Sequence, residues 1–145
     1  MSKINSNLIQ EDLNNLHSII TNEIDSKVED VYSTSEVKTN KVWIDGKPIY
    51  KRVFSVNTPS TANTYTTVAN MGSNIDQLIT TNGLIKATYS STMHIVYNLN
   101  FDEGDNSHFG WVAYNQKNGD IQLNVGNSLK NMPVIITIEY TKTTD

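Results

Sequence analysis

Residues 43–54 read Trp-Ile-Asp-Gly-Lys-Pro-Ile-Tyr-Lys-Arg-Val-Phe, and no other stretch restricts the fold as strongly. Asp45-Gly46 lies between two short β-rich runs, the pattern of a two-residue hairpin turn in which glycine supplies a positive φ. Pro48 has no amide hydrogen, so the second run either begins its strand there or lies at a sheet edge. A chain with this hairpin commits its following residues to antiparallel pairing. The residues beyond it agree. They alternate apolar and polar, whereas the residues before it follow a helical period.

The alternation predicts strands at Val42–Ile44, Pro48–Val56, Tyr65–Ala69, Gln77–Thr81, Leu84–Tyr89, Met93–Phe101, Gly110–Asn115, Asp120–Val125 and Val134–Thr141. The clearest is Met93–Phe101, where Met93, Ile95, Tyr97, Leu99 and Phe101 share a face. Asn118-Gly119 and Asn82-Gly83 predict two further hairpin turns. Many short strands divided by turn signals imply a mainly-β chain, an antiparallel β-sandwich or jelly-roll-like domain. A polar fraction rich in Asn, Thr and Ser, with only 18% charged residues, suits strands and turns.

Ahead of the sheet, a helix is expected from about Leu8 to about Val31, with Asn7 as its cap. Its apolar stripe is Ile9, Leu13, Leu16, Ile20, Ile24, Val28 and Val31. Leu13 to Val31 covers 18 residues in five steps, or 3.6 per step, which holds the stripe on one face of a nearly straight helix. Such a stripe packs either on its own β domain or on copies of itself. Its narrowness, the polar and acidic flanks, and Ile and Leu at both seam positions favour self-association into more than two strands, a helical bundle. The expected organisation is therefore a helix over residues 1–31, a linker over 32–41 and a β head over 42–145.

The bulk numbers exclude several classes. At 145 residues the chain holds one domain or one domain with an appendage. A net charge of −4 lacks the basic face that nucleic acid demands. No apolar run is long enough to span a bilayer, and no secretory leader opens the sequence. Zero cysteine excludes disulfides and thiolate metal sites.

Candidate chemistry is sparse. His17, His94 and His108 do not share ligand spacing, and none lies near a nucleophile motif, so neither a metal centre nor a catalytic triad is expected. Asp102-Glu-Gly-Asp105 lacks the residue order of a calcium loop and reads as a solvated loop. No catalytic residue and no cofactor are assigned. The aromatics that follow are more informative. Phe109-Gly-Trp-Val-Ala-Tyr114 places Trp111 and Phe109 on one face of a strand and Tyr114 on the other. Sugars stack C–H faces on aromatic rings while Asn, Asp and His take their hydroxyls. The candidate glycan-binding residues are accordingly Trp111, Tyr114, His108, Asp102, Asp105 and Asn106, with loops 57–64 and 102–108 around them. The alternative for Trp111 is an ordinary core position. Trp43 is read as a structural brace of its hairpin.

The run Tyr-Ser-Thr-Ser-Glu at 32–36, the Trp43–Tyr50 hairpin and the final Ile136-Thr-Ile-Glu-Tyr-Thr-Lys-Thr-Thr-Asp145 together carry a family resemblance. They resemble the C-terminal receptor-binding head domain of tail-fibre and baseplate proteins of phages infecting Gram-positive bacteria, and of related phage-tail-like bacteriocins. The matching residues are Tyr32, Ser33, Thr34, Glu36, and Trp43 through Tyr50, while the spacer Lys38–Lys41 departs from the usual glycine-containing run. The resemblance implies a non-enzymatic homotrimer in the virion tail, an extracellular particle made in the host cytoplasm. It implies contacts with other tail or baseplate proteins and adhesion to a host cell-surface polysaccharide or teichoic acid, without membrane insertion. A purely structural trimerisation cap is the second reading, and a glycan depolymerase the third.

Overall fold

The computed structural model describes residues 6–27, 32–88 and 94–144, and the chain divides after Val31 into two compact units. The first contains helix α1, Ser6–Lys27. Asn7 already lies inside this helix, so it does not cap it. Ile9, Leu13, Leu16 and Ile20 are each about half exposed, at 47–54%. Leu8 and Ile19 are exposed too, and they widen the apolar face on one side by about 80° at 100° per residue. Ile24 is helical, while Val28 and Val31 lie outside the described residues.

The second unit is mainly β: two antiparallel sheets around one core. Its strands are β1 (Val37–Val42), β2 (Pro48–Asn57), β3 (Thr66–Asn70), β4 (Ile75–Thr88), β5 (His94–Asn98), β6 (Phe101–Asp102), β7 (Phe109–Asn115), β8 (Asp120–Val125) and β9 (Pro133–Lys142). One sheet has the order β1-β2-β9-β4-β5 and the other β3-β8-β7-β6. Alternation places Ile136, Ile138 and Tyr140 of β9, with Ile85 of β4 and Phe54 of β2, on the inner face of the first sheet. Ile121, Leu123 and Val125 of β8 meet them from the second. Seven of these eight side chains are fully enclosed, Phe54 being the exception.

The predicted hairpin forms, with a longer loop. Trp43 N–H donates to Lys47 O at 2.8 Å and Gly46 N–H to Trp43 O at 2.9 Å, so the loop is Ile44-Asp45-Gly46. A turn followed by Gly46 at φ +86° is the three-residue hairpin with a glycine bulge. Asn118-Gly119 closes the connection between Asn115 and Asp120, the strand ends expected from the sequence.

Three sequence expectations need correction. Residues 32–41 are not a free linker. Val37–Val42 is strand β1, and the preceding residues dock on the sheet: Val53 N–H donates to Ser33 O at 2.8 Å and Arg52 Nε to Thr34 O at 3.0 Å. Asn82-Gly83 is not a turn either. β4 runs unbroken through it, and the missing side chain leaves room for Leu99, whose Cδ1 lies 2.1 Å from where a β-carbon would sit. The strand expected at Met93–Phe101, finally, is two strands, His94–Asn98 and Phe101–Asp102, with Met93 outside the described residues. Asn100 adopts φ +65° and carries the chain from the first sheet into the second, while Tyr97, Leu99 and Phe101 keep their common side against the core.

The two stretches that carry the family resemblance touch one another. Glu36 accepts a hydrogen bond from the Tyr140 hydroxyl at 2.5 Å and pairs with Lys142. Burial alone would raise the Glu36 pKa, but hydrogen bonds from Lys142 and Tyr140 outweigh it and hold the carboxyl below its ordinary value. Lys51 Nζ sits 3.8 Å over the Tyr32 ring, a cation–π contact. At the hairpin, the Trp43 indole donates to Gln77 Oε1 at 2.7 Å and Lys47 pairs with Asp76, so this segment is scaffold.

Candidate functional site

The hairpin β7–β8 sets the geometry of a polar concavity. Counting outward from Asn115↔Asp120, Val112 faces Leu123 on the core side and Trp111 faces Asn124 on the other. Trp111 is 36% exposed, so it is not a core residue. Thr66 pairs with Leu123 on the far edge of β8, which places Tyr65, itself 48% exposed, beside Asn124. Two loops wall this row. Asn63, in the left-handed region at φ +60°, donates its N–H to Val125 O at 3.0 Å and so fastens loop 57–64 to the end of β8.

Loop 102–108 forms the opposite wall and is stiffened by its own carboxylates. Asp102 Oδ1 accepts from Gly104 N–H at 2.7 Å. Asp105 Oδ1 accepts from the N–H groups of Ser107 and His108 at 2.7 and 2.6 Å. Its Oδ2 lies 3.1 Å from His108 Nδ1. The hydrogen bond from the His108 ring, with those from the two backbone amides, lowers the Asp105 pKa from 3.8 to about 2. The loop then rests on residues 126–128: Asn127 N–H reaches Asn106 O at 3.3 Å and Ser128 N–H reaches Ser107 O at 3.1 Å. Gly126 makes this seat possible, because a β-carbon there would lie 2.3 Å from Ser107 O.

The resulting cleft has a volume of about 340 Å³ and is lined by Asn63, Tyr65, Asp102, Asp105, Asn106, Phe109, Trp111 and Asn124. Four predicted residues meet there: Trp111, Asp102, Asp105 and Asn106. Two do not. His108 lines a separate small cavity with Ala87, Ile95 and Leu129, stacks on Tyr97 at 6.3 Å, and touches the cleft only by holding Asp105. Tyr114 points to the other face, beside Asp76, Gln77 and Gln116, where burial raises its pKa. Asn63 comes from the expected loop 57–64, whereas Tyr65 and Asn124 were missed as site residues. The carbonyl oxygen of the Asn124 side chain is shielded from solvent and has no hydrogen-bond partner among the described residues.

A larger hollow of about 580 Å³ involves Tyr32, Val53, Leu84, Leu99 and Ile135, and its walls are mainly apolar. Its polar lining side chains are Asn82, Asn98 and Thr137. Among the described residues no group of three or more His, Cys, Asp or Glu is placed to hold a metal ion, and no helix is long and apolar enough to cross a membrane.

Fold and cleft together define a mainly-β domain of two antiparallel sheets with a polar, aromatic-walled groove on the outer face of the smaller one. Comparison with protein-family models, curated proteins and solved structures finds no match to the chain.

Proposed function

We propose that the chain is a non-enzymatic adhesion module, the receptor-binding head of a phage tail or a tail-like particle, which attaches to a host cell-surface glycan through the cleft at Trp111. The observation that carries this reading is the cleft itself. Trp111 and Tyr65 offer ring faces to a sugar, and Asn63, Asn106, Asn124 and Asp102 supply polar groups around them. The exposed Ile9–Ile20 stripe supports the second half of the proposal, assembly of the helices into a trimeric bundle. In that arrangement the β unit is a jelly-roll-like head, and the motif residues 32–50 and 136–145 are scaffold. The particle is extracellular, and the tail or baseplate proteins are its structural partners.

Binding of the fluorescently labelled chain to Gram-positive cells and to their purified wall polysaccharide or teichoic acid tests the proposal. Trp111→Ala should weaken binding about five- to 150-fold while leaving the unfolding transition in place, if ring stacking on a sugar is worth the about 1–3 kcal/mol found for a base. Absence of binding across hosts and polymers would overturn adhesion and leave a trimerisation cap.

A further inference from the structure

We infer that the apolar hollow on the outer face of the larger sheet is a self-contact, covered in the trimer by the same face of the neighbouring copies. This rests on the trimer reading above and carries the subunit interface from the helices into the β units. Leu84 and Ile135 are direct neighbours across β4 and β9, and each is about half exposed. Val53, opposite Thr137 on β2, is nearly buried and forms the floor. Tyr32, 69% exposed, stands at the wall. A sheet face left open to water normally carries polar side chains at such positions.

Charge identifies the cover as another copy of this chain. Side chains that line a symmetry axis meet their own copies, so like charge would meet like charge there. The hollow has no charged side chain among the described residues. On the same face Lys51 and Glu139 stand directly opposite each other and offset, and Lys86, two residues beyond Leu84, marks the limit of the patch. The polar groups suit a self-contact as well. The amides of Asn82 and Asn98 and the hydroxyl of Thr137 both donate and accept, so each can pair with its own counterpart.

Continuity points to the same occupant. Tyr32 follows Lys27, the end of α1, by five residues, a tether of at most ~18 Å. Helices bundled through the Ile9–Ile20 stripe therefore hold three copies of Tyr32 near one axis. The 22-residue helix offers about three heptads of seam, which is short for an assembly that buries about 800 Å² per partner. The hollow adds apolar area to it. The Trp111 cleft, on the outer face of the smaller sheet, stays open in this arrangement. One trimer then presents three clefts to a wall polymer at once, a gain in avidity without any new contact to the sugar.

Sedimentation of the full chain over a dilution series tests the inference. Leu84→Asp, Leu84→Lys and Ile135→Asp alter half-exposed side chains, so the urea midpoint should stay in place. Each should raise the concentration of half-dissociation about tenfold or more, because three identical charges are brought together without partners. Asp and Lys should act alike, and both losses should shrink in about 1 M salt, where the screening length is ~3 Å. The sequence has no cysteine, so Leu84→Cys carries a unique thiol. A short bismaleimide should join two subunits through it, whereas Lys117→Cys, in the exposed β7–β8 connection, should stay unjoined. Unchanged dissociation in all three charge variants, weakening by one sign of charge alone, or no cross-link at position 84 would overturn the inference and leave the helical bundle standing. A parent chain that sediments as a monomer would remove both readings.

Discussion

Replacing Gly126 with alanine should unseat loop 102–108. The residue sits at φ −70° and ψ 167°, where any amino acid is comfortable, so the backbone conformation itself imposes no penalty. The obstacle is proximity. A β-carbon would lie 2.3 Å from Ser107 O, 2.4 Å from Ser107 C and 3.0 Å from His108 N. Non-bonded heavy atoms prefer about 3.5 Å or more, so the loop must retreat by roughly 1 Å. Overpacking of this kind costs about 1–3 kcal/mol. The hydrogen bonds Asn127 N–H to Asn106 O and Ser128 N–H to Ser107 O stretch out of range, each worth about 0.5–1.5 kcal/mol. Alanine also stiffens the unfolded chain and returns about 0.4–1 kcal/mol. The net expectation is a loss of about 1–5 kcal/mol. Urea unfolding followed by tryptophan fluorescence measures it, and hydrogen exchange should show faster exchange at the Asn127 and Ser128 amides. A variant within ~0.5 kcal/mol of the parent that keeps Ser128 protected would refute the idea that this close approach holds the wall of the cleft.

Other consequences can be checked in parallel. Leu123→Ala, at a fully buried position between the sheets, should cost about 2–5 kcal/mol in the same urea assay. Leu16→Asp or Ile20→Asp should dissociate the proposed trimer, read as a fall in sedimentation mass; unchanged mass would show that the stripe is not the seam. Glu36 has a folded pKa below its ordinary 4.5, so the stability it contributes is complete above that value and drains away as pH falls through the folded pKa. The thermal midpoint should therefore begin to drop below about pH 4.5. Glu36→Gln should flatten that limb by up to about 1 kcal/mol, a small effect because the Glu36 side chain is 36% exposed.

Which parts of this molecule could be read in its sequence follows from how local each signal is. The Asp120–Val125 strand was legible to the residue because strict alternation on a half-buried surface leaves one register. The two loops of the cleft were legible as polar, turn-rich segments flanking an aromatic strand, although only the sheet topology brings Asn63 to Asp102. Tyr65 and Asn124 were not legible, and the cause is specific. The strand ends Asn115 and Asp120 were legible, but Tyr65 comes beside Asn124 only through the β3–β8 pairing, a long-range contact that no local signal specifies. Gly83 shows the complementary failure: Asn-Gly is a turn signal in isolation, but Leu99 needs the space that glycine leaves in the core. Tertiary packing won over local propensity there.

One feature of the larger sheet governs the timing of its assembly. β9 lies between β2 and β4, hydrogen-bonded to both along most of its length. β2 can pair with β1 and β4 with β5 as they emerge, but the two hairpins cannot be joined before residues 133–142 have been synthesised. During translation Phe54, Val56 and Ile85 therefore wait uncovered on strands with open edges, the state in which strands of neighbouring chains pair wrongly. A nascent protein of this architecture closes its larger sheet late, when β9 joins the two earlier strand pairs. Crowding many copies on one messenger should penalise it more than a fold whose strands pair in the order they emerge.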